Sequence, residues 1–215
     1  MAKVPSKDKP ASFQDLVSTA YDLGAYKAKL IDPDLIAIEH RAQLKCLIPR
    51  CTSYNKSLTC PPNTPNTEKI KKIVAEYSTA IMVQVRGSED EMADDHMKAN
   101  YNWVYPSVYT LHKIIHELEV TAFDSGYYLV FGLGGGDCRW CEILTEHNCS
   151  IDLHANAGNC QGIGSGKCVQ EYKARPALEA MSINVVQTAQ NAGLPFHFSG
   201  KEEGYVIWNG ILLID

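Results

Sequence analysis

A strand-like run leads directly into a cysteine-containing turn in residues 126–141, which read GYYLVFGLGGGDCRWC. Residues 127–133 are apolar almost throughout, which predicts a buried strand. Gly134 to Gly136 follow the strand, and Cys138 and Cys141 come next. Because glycine lets the backbone approach a bound group closely, the exit of this strand is predicted to form a site.

Helices and strands are predicted on both sides of this stretch. A helix over about 101–123 has its apolar side chains on one face and ends at Gly126. The remaining helices are predicted over 11–23, 66–77 and 176–191, and the remaining strands over 26–31, 35–40, 80–85, 194–198 and 205–214. We therefore expect an α/β or α+β fold: one mixed sheet covered by about three longer helices, with cysteine-rich loops and a C-terminal β-hairpin.

Composition and charge exclude several classes of protein. With 215 residues, 45% hydrophobic and 21% charged, the chain is predicted to be a single domain, 1–215, with a flexible head at 1–10. The net charge of −5 gives no reason to expect binding to nucleic acid or to an anionic membrane. The sequence begins without an apolar signal segment and has no run long enough to cross a bilayer, so a cytoplasmic location is expected. A homo-oligomer is left open.

Eight cysteines stand in two groups, in a first cysteine loop at 44–62 and a second cysteine-rich loop region at 134–170. The candidate metal ligands are Cys46, Cys51, Cys60, Cys138, Cys141, Cys149, Cys160 and Cys168. A domain of this size does not need disulfides for stability, and thiols stay reduced in the cytoplasm. Clustered cysteines there indicate metal or redox chemistry.

Iron–sulfur clusters fit this pattern better than zinc. A 4Fe-4S cluster takes four thiolates, so eight cysteines predict two clusters. Zinc is the alternative, but its structural sites commonly have two C-x2-C turns, whereas this chain has one. Two further interpretations are buried structural cysteines and a redox dithiol at Cys138 and Cys141.

Several motifs, taken in order, resemble those of the predicted metal-binding proteins of domain-of-unknown-function family 2284. The resemblance covers residue 35 to the end and rests on Arg41 to Pro62 with its Cys-Pro-Pro, Thr64-Pro65, Leu118-Glu119, Ala122-Phe123, Gly126-Tyr127, Cys-x2-Cys-Glu at 138–142, Ala174 to Ala180 and Ile183 to Val185. It implies a cysteine-ligated metal, iron–sulfur in kind, in anaerobic bacteria and archaea. It implies no settled activity.

The chain departs from the family pattern in its second cysteine group. The family's C-x2-C-x2-C would require a third cysteine where this chain has Leu144, and an insertion carries Cys149 and Cys160 instead. We expect one of these two to replace the missing ligand and the other to complete the first group, in unknown order.

Three functions are weighed. The leading hypothesis is an iron–sulfur protein with two 4Fe-4S clusters that transfers single electrons to or from a redox partner protein. The second is an enzyme with an open iron, held by three cysteines, that acts as a Lewis acid or in sulfur chemistry. The third is a zinc-stabilised adaptor. The sequence does not decide whether the protein is an enzyme.

Two smaller expectations concern residues outside the cysteine groups. His112, His116 and Glu119 lie on neighbouring turns of the long helix, where a solvated face is favoured over a metal site. Arg175 and Glu179 are four apart and are expected to form a structural pair.

Overall fold

The computed structural model describes residues 10–88, 104–138, 140–143, 160, 162–197 and 205–215. It contains one sheet, with strands in the order β1-β2-β4-β3. The strands are β1 (Lys27–Ile31), β2 (Thr79–Ser88), β3 (Phe131–Leu133) and β4 (Tyr205–Ile214). The predicted α+β class is confirmed. The mixed sheet is wrong in detail: the described strand pairs are antiparallel, and a parallel contact occurs as an isolated bridge between Gly134 and Ala177.

β2 and β4 form the centre of the sheet. They pair along ten residues, from Thr79 opposite Ile214 to Ser88 opposite Tyr205. Almost every side chain in both strands is buried. Because successive side chains of a strand point to opposite faces, two apolar faces result, and both need a cover.

Helices cover both faces. On one face α1 (Phe13–Asp22) and α4 (Val104–Asp124) pack in a cluster that includes Ile81 and Val83 of β2. On the other face, the cluster around Met82 contains residues of α3 (Thr67–Val74) and α6 (Val185–Asn191), with Leu178 and Ile183 between them in the chain. None of the helices in the described residues is both long and apolar enough to cross a membrane.

Local capping explains where two of the helices begin. Ser12 accepts a hydrogen bond from the backbone of Asp15, and the Asp15 carboxylate accepts one from the backbone of Ser12, which is a capping box. Asn66 accepts from the backbone of Lys69 at 2.9 Å. The predicted helices over 11–23, 66–77 and 101–123 correspond to α1, α3 and α4 and are confirmed in their described parts.

Two of the predicted strands are wrong or shortened. A 3-10 turn, Pro33–Leu35, ends where the strand predicted over 35–40 would start. That segment forms an isolated bridge between Ile38 and Ile183 instead of a strand ladder. The strand predicted over 127–133 is reduced to β3. Tyr128 and Leu129, which are 70% and 68% exposed, lie before it in a loop, so an apolar run here did not mean burial.

The last predicted helix and the closing hairpin are also corrected. The helix over 176–191 is divided into a 3-10 turn, Glu179–Met181, and α6, because Ser182 has left-handed backbone angles, with φ 60°. Residues 194–197 contain no strand, although Ile207 donates a backbone hydrogen bond to His197 at 3.0 Å. The second arm of the predicted hairpin is confirmed as β4, which pairs with β2 and β3.

A buried ion pair fastens the segment before the 3-10 turn to the long helix. Nε and Nη2 of Arg175 donate to the Glu119 carboxylate, at 2.7 Å for the Nη2 bond, and the two side chains are only 15% and 10% exposed. The expected pair of Arg175 with Glu179 is therefore wrong. Gly132 of β3 leaves room for this contact, since a Cβ there would lie 3.0 Å from the Glu119 carboxylate.

Replacing Arg175 by Met should destabilise the protein by about 3–5 kcal/mol, because Glu119 would keep a buried charge without its partner. The double variant Glu119→Leu/Arg175→Met should recover most of this loss. Urea unfolding of the three proteins measures both values. A single variant that loses less than about 1 kcal/mol would mean that water replaces the guanidinium.

Candidate metal centre

The first cysteine loop is folded back on itself by its own backbone. It begins with a single turn, α2 (Leu44–Leu47), which contains Cys46. The N–H of Cys51 then donates to the carbonyl of Cys46 at 3.1 Å, and the N–H of Asn55 donates to the carbonyl of Pro61 at 2.8 Å. Loop closure of this kind draws together cysteines that are up to fourteen positions apart. Cys46 is half-buried, Cys51 is exposed and Cys60 is buried.

Two of the three thiols in this loop have raised pKa values. Burial is the main factor that raises the pKa of Cys60 to about 12, and the charges of Asp137, Cys46 and Cys51 act in the same direction. The pKa of Cys46 is also raised by burial, then by the charges of Cys51 and Glu179, whereas Lys45 lowers it. The charges of Cys46 and Cys51 therefore act on Cys60 across the loop, and the use of these three cysteines as metal ligands stays a prediction.

Three other thiols lie near enough to Cys138 for their charges to affect its pKa. Burial raises the pKa of Cys138 to about 12, with smaller effects in the same direction from Cys168, Cys141 and Cys160, and an opposing hydrogen bond from the backbone of Trp140. The backbone N–H of Gln170 lies 3.3 Å from the sulfur of Cys168. Cys160 therefore acts on Cys138 of the second group, and its assignment to either group stays a prediction. Cys149 lies outside the described residues.

The two groups adjoin each other. The N–H of Cys160 donates to the carbonyl of Lys56 in the first loop at 3.2 Å. The hydroxyl of Ser53, also in the first loop, donates to the carboxylate of Asp137 at 2.9 Å, and Asp137 directly precedes Cys138. One carboxylate therefore lies beside cysteines of both groups, and two hydrogen bonds connect the loops.

The glycines before Cys138 serve mainly close packing. The N–H of Gly134 donates to the carbonyl of Pro176 at 2.9 Å, so it is already engaged and does not point to a free sulfur. A Cβ at Gly134 would lie 2.8 Å from the His112 ring, and one at Gly135 would lie 3.0 Å from the carbonyl of Asn209. Gly136 has a φ of 67°, which glycine adopts at low cost, and it turns the chain toward Asp137.

The helix residues considered as a metal site have other roles. His112 is 2% exposed, and its Nε2 lies 3.3 Å from the carbonyl of Asp137. His116 contacts the buried Trp140 ring edge-on, with 5.4 Å between centroids, and Glu119 binds Arg175. The expected solvated face is wrong, because this face of α4 supports the cysteine site. Lys173 lies over the Trp140 ring, with 5.2 Å between its Nζ and the ring centre.

Sequence reasoning missed Asp137 and Ser53. The only signal for Asp137 was its place next to Cys138, and nothing in the sequence connects it to a serine 84 positions away. Among the described residues, no three His, Cys, Asp or Glu side chains are close enough together to hold one metal ion. The described thiols are therefore neighbours without converging on a single point.

Residues 29–214 match the family described as "Predicted metal-binding protein (DUF2284)", and the chain belongs to this family. The family resemblance stated from the motifs is thereby confirmed. The comparison found no match among curated proteins or solved structures.

In the metal-free protein, iodoacetamide should label Cys60 and Cys138 far more slowly than the exposed Cys51 at pH 8. A pKa of about 12 leaves roughly one thiolate in ten thousand at that pH, and the thiolate is the reactive form. Between pH 8 and 11 labelling should rise about tenfold per pH unit and then level off as the pKa is passed. Mass spectrometry of peptides measures the rates, with the protein unfolded in guanidinium as the control. Equal rates for Cys51 and Cys60 at pH 8 would contradict the burial of Cys60.

Replacing Asp137 by Asn should lower the pKa of Cys60, because the carboxylate charge raises it. Labelling of Cys60 at pH 9 should then become severalfold faster. Asn retains an oxygen that can accept the hydrogen bond from Ser53. The control is Asp124→Asn at the exposed end of α4, which should leave the rate unchanged. If both variants behave alike, Asp137 does not act on Cys60 through its charge.

Proposed function

We propose that this protein is a cytoplasmic iron–sulfur protein that binds two 4Fe-4S clusters and passes single electrons to or from a redox partner protein. The observation that carries the proposal is the grouping of seven described cysteines into two adjoining sets. Four thiols around Cys138 are a complete ligand set for one 4Fe-4S cluster. In the proposal the first set is completed by Cys149, and thiols of both sets stay reduced in the cytoplasm.

The donor set fits an iron–sulfur cluster. Each iron of a 4Fe-4S cluster takes one thiolate, so the four ligands are spread around the cluster and do not meet at one atom. The chain has one C-x2-C turn, Cys138 to Cys141, whereas structural zinc sites commonly have two, which also favours a cluster. The raised pKa values of Cys60 and Cys138 mean that binding would release protons, as thiolate ligation requires.

Residues around the thiols would support such a group electrostatically. The N–H groups of Trp140 and Gln170 already donate to the sulfurs of Cys138 and Cys168, and donors of this kind set the potential of a bound cluster. Lys45 stabilises the thiolate of Cys46. A cluster supplies reversible uptake of one electron, and the chain supplies its ligands and its insulation from water. The buried Trp140, with His116 and Lys173 against its ring, lies between Cys138 and Cys141 in the chain and would reduce the access of solvent on that side.

The contact between the sets supports electron transfer through the protein. The Cys160 to Lys56 and Ser53 to Asp137 hydrogen bonds hold the loops together, so groups bound in them would be neighbours. An electron entering at the exposed Cys51 would then have a short path to the half-buried second set.

A second candidate function is an enzyme whose first set consists of the three cysteines that sequence spacing alone groups together, Cys46, Cys51 and Cys60. If Cys149 does not join it, one iron held by Cys46, Cys51 and Cys60 would lack a thiolate and could bind a substrate as a Lewis acid or accept sulfur. The zinc-stabilised adaptor uses the same cysteines without redox activity.

Protein purified without oxygen should contain about eight iron and eight sulfide per chain, and its reduced form should show two magnetically coupled clusters by EPR. Cys160→Ser should remove about four of each and abolish the coupling, because Cys160 belongs to the second set. Ser165→Ala, on the same loop, is the control and should keep the full content. Stoichiometric zinc without sulfide would replace this proposal with the adaptor.

Cys149→Ala distinguishes the carrier from the enzyme. For the carrier, the variant should lose the first cluster or convert it to a three-iron form, with a matching change in EPR. For the open-site enzyme, Cys149→Ala keeps eight iron, and cyanide perturbs the spectrum of the unaltered protein.

A further inference from the structure

We infer that the first cysteine loop is a docking surface for a small acidic electron-carrier protein. The inference rests on the proposed function and names the place and the chemistry of the partner. It starts from charge: residues 41–67 contain the four cations Arg41, Lys45, Arg50 and Lys56 and no carboxylate, although the whole chain has a net charge of −5. The net charge of this segment is therefore positive, opposite to that of the whole chain.

Three of these cations are exposed and available to a partner. Arg41 is paired with Glu39. Lys45, Arg50 and Lys56 are exposed, and within the described residues none of them is in an ion pair. Arg50 lies over the ring of Tyr54, with 5.1 Å to its centre, which holds the guanidinium at the surface of the loop.

Apolar side chains lie among the cations. Ile48 is 75% exposed and Leu47 is 42% exposed, so two large aliphatic side chains face solvent. Cys51, a ligand of the first set in the proposed function, is exposed and lies between Arg50 and Lys56 in the chain. Aliphatic side chains beside cations, next to an exposed ligand, form a surface that both binds a partner and is close to the redox group. We call Lys45, Leu47, Ile48, Arg50, Cys51 and Lys56 the basic face.

Charge complementarity selects the partner. A protein with a negative surface around its own redox group would be attracted by the cations and oriented with its redox group toward Cys51. The nearby carboxylates of Glu179 and Asp137 are partly buried and lie toward the cysteines. In the complex the reduced carrier loses one electron and this protein gains one, and no atom or proton is transferred.

The test uses a plant-type two-iron ferredoxin, an acidic carrier, as the probe. Binding of the immobilised ferredoxin to the anaerobically purified protein is measured from about 20 mM to about 300 mM salt. The double variant Arg50→Gln/Lys56→Gln, which leaves Lys45 beside Cys46 unaltered, should bind about tenfold more weakly at low salt and lose much of the salt dependence. The control Lys27→Gln/Lys72→Gln removes the same charge from exposed positions elsewhere and should bind within about twofold of the unaltered protein.

The apolar contact is tested with a second matched pair. Ile48→Ser should weaken binding severalfold without changing its salt dependence, whereas Leu129→Ser, which alters an equally exposed side chain before β3, should have no effect. Equal losses in the charge variant and its control, or unchanged binding in the charge variant, would overturn the inference.

Electron transfer separates docking from the metal centre. Reduced ferredoxin should reduce the charge variant about tenfold more slowly at low salt, while photoreduced deazaflavin, a small neutral reductant, should reduce it at an unchanged rate. If deazaflavin also becomes slow, the cations support the metal centre and the docking inference is wrong. If deazaflavin cannot reduce the unaltered protein, the proposed redox function is wrong, and the binding measurements still decide whether the basic face docks an acidic protein.

Discussion

β2 and β4 pair antiparallel over ten residues, and the rest of the architecture follows from the fact that both strands are apolar on both sides. Antiparallel sheets often leave one face to water, but this one cannot, because each face would expose a row of aliphatic side chains. α1 and α4 therefore cover one face, and α3, α6 and the chain around Leu178 cover the other. The short β3 completes the sheet beside β4, and its end is where the cysteine loops meet.

The site depends on this sheet through Gly134, the first residue after β3. Its N–H donates to Pro176 and its carbonyl accepts from Leu178, so the chain after Cys168 is attached to the sheet edge. The same residue packs against His112 of α4. One short segment of backbone thus joins the sheet, the long helix and the second cysteine group. The Arg175 to Glu119 ion pair reinforces this junction from the neighbouring position.

Features set by near neighbours in the chain could be predicted from the sequence, and features set by distant ones could not. The caps Ser12 and Asn66 are local, and the predicted helices begin at them. Ser182 is local too, but no residue pattern marks a serine with left-handed angles, and its hydroxyl bonds the distant Thr67 at 2.8 Å. The strand predicted over 127–133 was too long for a related reason, since hydrophobic character alone does not show which residues pair with a neighbouring strand.

The candidate site shows the same division. Spacing alone separated Cys46, Cys51 and Cys60 from the later cysteines, because loop closure over few residues is easy. It could not assign Cys160, whose position is fixed by a hydrogen bond to Lys56, more than a hundred residues earlier. Asp137 was missed because an acidic residue beside a cysteine has no meaning until the fold brings Ser53 to it.

The hydrogen bond between Cys160 and Lys56 also couples the order of the two cysteine regions. It joins the first cysteine loop to the described part of the second region, so whatever fixes one removes part of the conformational freedom of the other. A ligand that ordered the first loop would therefore lower the entropy cost of ordering the chain around Cys160, and the reverse holds by the same argument.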